Sequence, residues 1–211
     1  MKKPTKPFDL SLYLVTDRML SHGRSLEYIV SEAVKGGVTM VQLREKSSST
    51  WEFITIARAV KQLLSPTDIP LIINDNVDVA LAVEAEGLHI GQGDIPYAKA
   101  RQLMGSGAII GLSVENYDQA VEADQLDLDY IGISPVFLTE TKHDGIAQIK
   151  MLCKHPAVAI GGINLSNTSQ IIKAGADGIA VVSAICSAAD PRAATEMLRQ
   201  KVDAAKKQYK L

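Results

Sequence analysis

Hydrophobic positions along the chain alternate between two spacings. Short β-rich runs recur at even intervals: LYLVTD (12–17), TMVQLRE (39–45), PLIIND (70–75), GLHIG (87–91), AIIGLSV (108–114), DYIGISPV (129–136), AVAIGGI (157–163) and GIAVVSAI (178–185). Between them the period lengthens. Leu26, Ile29, Val30, Ala33 and Val34 fall at i, i+3, i+4, i+7 and i+8, the stripe of a helix packed on a sheet. Gly36, Gly87, Gly175 and Gly178 stand where each helix must turn back into a strand, so positive φ is expected there. KGGVTMVQ, AEGLHIG and AGADGIAVV read as three versions of one joint. Eight β-then-α units in about 200 residues predict an α/β protein of the (β/α)8 TIM-barrel type, as a single domain over 1–211. An open doubly wound sheet would want G-x-G-x-x-G after its first strand, and LVTDRMLSHGRS has none.

A barrel strand alternates between a helix-covered outer face and the lumen. In MVQLREK the apolar Val41 and Leu43 take one face, leaving Gln42, Arg44 and Lys46 to point into the mouth at the carboxyl ends of the strands, where barrel active sites lie. Other strand ends are polar as well: Asp17, Asn74 with Asp75, Gln92 with Asp94, Ser113, and Ser134 followed by LTETK.

Each of these residues admits two uses. Arg44 and Lys46 serve either ion pairs with carboxylates on neighbouring strands or a bound anion. Lys142, with the hydroxyls of Thr139 and Thr141, adds to the anion reading. Asp75 and Asp94 end adjacent strands; they are either solvated loop carboxylates or oxygen ligands for one hard cation such as Mg2+. The glycines of AIGGI and Ser183 of VVSAI occupy the position after strands seven and eight where barrels commonly hold a phosphate, although close packing and helix capping would explain them too. His89 reads as a satisfied core histidine, and His22, His143 and His155 fall in turns without partners. No Ser-His-Asp or Cys-His set emerges, so covalent catalysis has no support.

Composition narrows the class. A formal net charge of -2 and pI near 6.1 provide no basic field for nucleic acid or an anionic membrane, so any anion must be met locally in a pocket. The hydrophobic share of 46% suits a large core. No run approaches the roughly 18 apolar residues of a membrane span, and the N-terminal apolar stretch is shorter than a signal-peptide core. Cys153 and Cys186 have no metal-ligand spacing, and a chain this long needs no disulfide staples, which fits a reducing cytoplasm.

The stretches QLREK (42–46), IINDNVDVAL (72–81), GLHIGQGD (87–94), GLS (111–113), TETK (139–142), AIGGI (159–163) and GADGIAVVSAI (175–185), in this order, resemble the thiamine phosphate synthase family. The resemblance implies a transferase that joins hydroxymethylpyrimidine pyrophosphate to a thiazole phosphate and releases pyrophosphate. It implies that Gln42, Arg44, Lys46, Asn74 and Lys142 hold the pyrimidine pyrophosphate, with Leu43 and Glu45 in the same binding segment. Asp75 and Asp94 would hold Mg2+ and Ser113 would touch the same substrate. Arg44, Lys46, Ser113 and Lys142 would be catalytic, while Thr139, Thr141, Gly162, Val182 and Ser183 would receive the thiazole phosphate. Partners would be these small molecules, with a homo-oligomer left open. Family members often carry Glu at the position of Gly93, proline at that of Leu138 and Gly-Pro at Ser134-Pro135. The related thiazole tautomerases use a histidine just after strand five, where this chain has Glu115. A non-catalytic phosphate-binding regulator on the same scaffold would need neither both aspartates nor three cations.

Overall fold

The structure, a computed structural model, describes residues 7–134 and 144–209. Eight parallel strands close into a barrel in sequence order, β1 pairing with β8 as well as with β2. They are β1 (Leu12–Val15), β2 (Met40–Leu43), β3 (Leu71–Asn74), β4 (Gly87–Ile90), β5 (Ile109–Val114), β6 (Tyr130–Ile133), β7 (Ala157–Ile160) and β8 (Gly178–Val181). The helices around them are α1 (Leu26–Lys35), α2 (Thr50–Leu64), α3 (Val77–Ala82), α4 (Tyr97–Met104), α5 (Tyr117–Asp124), α6 (Asp144–Leu152), α7 (Thr168–Lys173), the short α8 (Ser183–Cys186) and α9 (Pro191–Tyr209). All eight predicted runs form strands, and every strand but β5 stops short of the end of its run. The polar tails of the runs belong to the connections above the barrel, and Ser183–Ile185, read as strand, opens α8.

The alternation seen in the sequence separates two cores. Leu12, Leu14, Val41, Leu43, Leu71 and Ile73 pack outward under the helices, together with Leu26, Ile29, Val30 and Ala33 of α1. The lumen is filled from below by Leu10, Met40, Ile72, Ile109 and Val158, with Tyr13 and Tyr130 above them and Phe8 edge-on to Tyr130 as a lower plug. Burying each such aliphatic side chain contributes roughly 1.5–3 kcal/mol. Because the lower lumen is apolar, polar side chains are confined to the upper end.

The repeated joint has a common construction. Thr39, Glu86, Asp129 and Asp177 immediately precede the even-numbered strands, and each accepts the N–H of the first residue of the strand before: Leu12, Leu71, Ile110 (one residue into β5) and Ala157. The three acids also pair with Lys61, Arg101 and Lys150 from α2, α4 and α6. Each joint thereby satisfies a strand's leading donor, which an acidic or hydroxyl side chain can do and an apolar one cannot. The expected role of glycine here holds only in part. Gly175 does adopt positive φ, at 102°, whereas Gly178 is required by space: a Cβ there would lie 1.7 Å from the Leu10 carbonyl oxygen.

Cys153 and Cys186 are buried and unpaired. Among the described residues no helix is long and apolar enough to cross a membrane.

Candidate active site

The upper lumen opens into a cavity of about 390 Å³. Gln42, Arg44, Asn74, Ser113 and Val182 line it, with Tyr13, Asp17, His89, Gly132 and Ser134. The cation at the end of β2 is held by its neighbour: the Asp17 carboxylate accepts from Arg44 Nη1 at 3.0 Å, and Thr16 Oγ1 accepts the Arg44 backbone N–H. Asp17 also accepts the backbone N–H groups of Met19 and Leu20, which fixes its orientation. Asp17, seen in the sequence only as a polar strand end, is therefore the anchor of Arg44.

At the rim, Lys46 Nζ lies 2.6 Å from Asp75 Oδ2. Asp75 has φ of 60°, a left-handed conformation that aspartate tolerates better than most residues. Its N–H is given to the His89 carbonyl, which ties the end of β3 to β4. Asp94 accepts the Gly91 N–H at 2.7 Å and faces Asp75. Loss of hydration and the neighbouring Asp75 carboxylate raise the Asp94 pKa, against the opposing Gly91 hydrogen bond and Lys46 charge. Two carboxylates stand beside one ammonium among the described residues, an oxygen-rich arrangement short of positive charge that fits a hard divalent cation. Among the described residues no group of three or more His, Cys, Asp or Glu gathers to complete an all-protein metal cage, so water and phosphate oxygens would have to fill the remaining positions.

Of the two uses expected for these cations, the ion pairs are formed. Arg44 and Lys46 are paired with carboxylates, and both pairs are partly open to solvent, where exchange for a more highly charged anion is inexpensive.

The Leu43 side chain does not reach the cavity: it is fully buried in the outer core, because the alternation that sends Gln42 and Arg44 inward sends Leu43 under the helices. Glu45 is engaged by Arg18 at 2.9 Å and does not line the cavity. At the far side of the mouth, Gly161 and Gly162 have φ of 107° and 65°. Val182 precedes the first turn of α8, and Ser183 is exposed there. Thr139, Thr141, Lys142 and His143, like Leu138, lie outside the described residues.

At the floor of the cavity a buried polar group lies where the sequence pointed only to a core histidine. His89 Nδ1 meets the Tyr130 hydroxyl at 2.9 Å and Nε2 meets Ser113 Oγ at 3.0 Å. Tyr130 in turn meets Tyr13 at 2.8 Å, and Gln42 Nε2 donates to Tyr13 at 2.9 Å. Tyr13 and Tyr130 were legible as lumen-facing by the same alternation that selected Gln42, but an aromatic run on a strand reads first as core. His155, expected to lack a partner, is buried and bonds the Ala123 carbonyl.

Burial drives the His89 pKa down to about 4, partly offset by Asp94. In the unfolded chain a histidine titrates near 6.5, so between these values the unfolded state binds a proton that the native state refuses. Stability from this group is complete above about pH 6.5 and is lost as pH falls toward 4. From about pH 7 to about pH 4.5 the loss amounts to roughly 2 kcal/mol. Urea unfolding of the parent and of His89→Gln at both pH values should show this extra acid loss in the parent alone; equal losses would place the proton elsewhere.

The sequence model of a family described as Thiamine monophosphate synthase matches residues 12–185. A thiamine-phosphate synthase of Vibrio campbellii is 53% identical over 195 residues, covering 89% of this chain and 95% of its own length. One from Albidiferax ferrireducens is 48% identical over 203 residues, covering 92% and 93%. The solved structure of a thiamine phosphate pyrophosphorylase from Pyrococcus furiosus superimposes with a TM-score of 0.86 at 40% identity, covering 93% of this chain and 96% of that one.

Proposed function

The chain belongs to the thiamine monophosphate synthase family, a match that runs from β1 to α8, and from that premise we propose how its mouth carries out the transfer of a pyrimidinylmethyl group. Hydroxymethylpyrimidine pyrophosphate loses pyrophosphate, its methylene carbon is joined to the thiazole phosphate, and thiamine phosphate results. Arg44, Lys46, Asn74 and Lys142 receive the pyrophosphate, Gln42 and Ser113 the remainder of the same substrate, and Thr139, Thr141, Gly162, Val182 and Ser183 the thiazole phosphate.

The observation that carries this reading is the pairing of cations and carboxylates across β1, β2 and β3 beside a cavity in which no free general base stands among the described residues. Arg44 is paired with Asp17 and Lys46 with Asp75, while both nitrogens of His89 are occupied and its imidazole is neutral. Such a site is suited to stabilising charge that builds on a leaving group as its C–O bond breaks, and unsuited to abstracting a proton. Asp75 and Asp94 would hold Mg2+, and the ion when bound supplies further stabilisation of the departing pyrophosphate. The side chains do the rest: Lys46, released from Asp75, can turn to the anion, while Asp17 keeps Arg44 oriented. Ser183 offers its exposed hydroxyl to the second phosphate. Transfer between two small molecules in a pocket needs neither nucleic acid nor a membrane, and is compatible with a cytoplasmic protein.

The test is a two-substrate assay that follows pyrophosphate. Release is expected only when both the pyrimidine pyrophosphate and the thiazole phosphate are present with Mg2+. Isomerisation of a carboxythiazole by the protein alone would instead establish the tautomerase reading. Tight phosphate binding without turnover would establish a regulator.

A further inference from the structure

Gln42, Tyr13, Tyr130, His89 and Ser113 form one unbroken hydrogen-bonded chain across the barrel, with successive separations of 2.9, 2.8, 2.9 and 3.0 Å. Gln42, Tyr13, His89 and Ser113 line the cavity, whereas Tyr130 in the middle is fully buried and does not. The chain exists because of strand register. Asn74, His89, Gly111 and Tyr130 are lateral partners on β3 to β6. Gly111 between the two rings has no side chain, so the His89 and Tyr130 rings stack across it at 5.4 Å. A Cβ on Gly111 would lie 2.1 Å from Tyr130 Cζ. The GLS stretch at 111–113 thus supplies both the gap that admits the tyrosine and the serine at the end of the chain.

A phenol has one hydrogen to give, so the polarity of each link follows from the one before. Gln42 Nε2 donates to the Tyr13 oxygen, and Tyr13 then donates to Tyr130. Tyr130 donates to His89 Nδ1, which must be bare. An imidazole that accepts at Nδ1 carries its hydrogen on Nε2. Nε2–H donates to Ser113 Oγ, whose own hydrogen is left to point into the mouth. Phosphate oxygens and ring nitrogens only accept, so a serine fixed as a donor is the useful polarity, and the reverse one would aim a lone pair at them.

We propose that Tyr130 is a positioning residue: acting through His89, it holds Ser113 as a hydrogen-bond donor to the pyrimidine pyrophosphate. The identity of that ligand rests on the function proposed above; the polarity of the chain does not.

Two measurements test it. In ligand-free protein with 15N-labelled histidine, the His89 signal, assigned by its loss in His89→Gln, should show a protonated Nε2 and a bare Nδ1. A hydrogen on Nδ1 would overturn the proposal whatever the protein's substrate. For the functional arm, Tyr130→Phe keeps the ring that fills the lumen and removes only the hydroxyl. It should raise KM for the pyrimidine pyrophosphate by on the order of tenfold and leave KM for the thiazole phosphate unchanged. Because Tyr130 acts through Ser113, Tyr130→Phe with Ser113→Ala should be no worse than Ser113→Ala alone to within about twofold. Multiplying losses, an unchanged KM, or equal losses for both substrates would overturn it. Absence of any pyrimidine pyrophosphate binding by the parent would refute the proposed function and leave the histidine result standing on its own.

Discussion

Asp75→Asn and Asp94→Asn should each lower the rate of pyrophosphate release by roughly two to three orders of magnitude while the protein still folds. The two carboxylates face each other at the ends of β3 and β4, and among the described residues the Lys46 ammonium is the cation beside them. Asparagine keeps the shape of either side chain and removes one charge, so the loss falls on cation affinity and on stabilisation of the leaving group rather than on packing. Folding has reason to improve slightly. A carboxylate whose pKa is raised in the native state is destabilising above its unfolded value, so removing the Asp94 charge relieves native repulsion at neutral pH. Release should be measured against Mg2+ concentration for the parent and both variants. Partial recovery of the variants at high Mg2+ is expected. Full parent activity in chelator, or variants that match the parent, would refute the metal assignment.

Arg44→Ala should weaken the pyrimidine pyrophosphate by roughly 10- to 150-fold, which is about 1.5–3 kcal/mol for one charge-assisted contact. The thiazole phosphate should be affected far less, since the two phosphates are proposed to occupy opposite sides of the mouth. Stability should hardly change. The Arg44–Asp17 pair is partly open to solvent on both sides, and such pairs contribute at most about 1 kcal/mol. Titration calorimetry with each substrate, beside a thermal melt, separates these effects. Equal weakening of both substrates would mean that one anion site serves both, and a large fall in melting temperature would mean that Arg44 is chiefly structural.

Leu43 and Tyr130 show how far a linear reading reaches. For Leu43, period-two alternation places the side chain outside the barrel, while the motif resemblance drew it into the binding segment; the structure follows the alternation, because the backbone pleat acts on every residue whatever motif it belongs to. For Tyr130, alternation could mark the lumen face, but its partners Tyr13 and His89 are 117 and 41 residues away. Which side chains meet there depends on the stagger of strands and on the space left by Gly111, and neither is written in any local pattern.

The order of the eight units, the inward face of β2 and the concentration of polar residues at strand ends followed from the sequence alone, because they rest on local periodicity and on the closure that parallel βα units favour. Pairing was another matter. That Arg44 is held by Asp17, Lys46 by Asp75, and Ser113 by a histidine whose tautomer a buried tyrosine sets was decided only when the barrel closed. Each of these contacts joins different strands at a particular stagger, and hydrogen bonds a few ångströms long are sensitive to register in a way that hydrophobic burial is not.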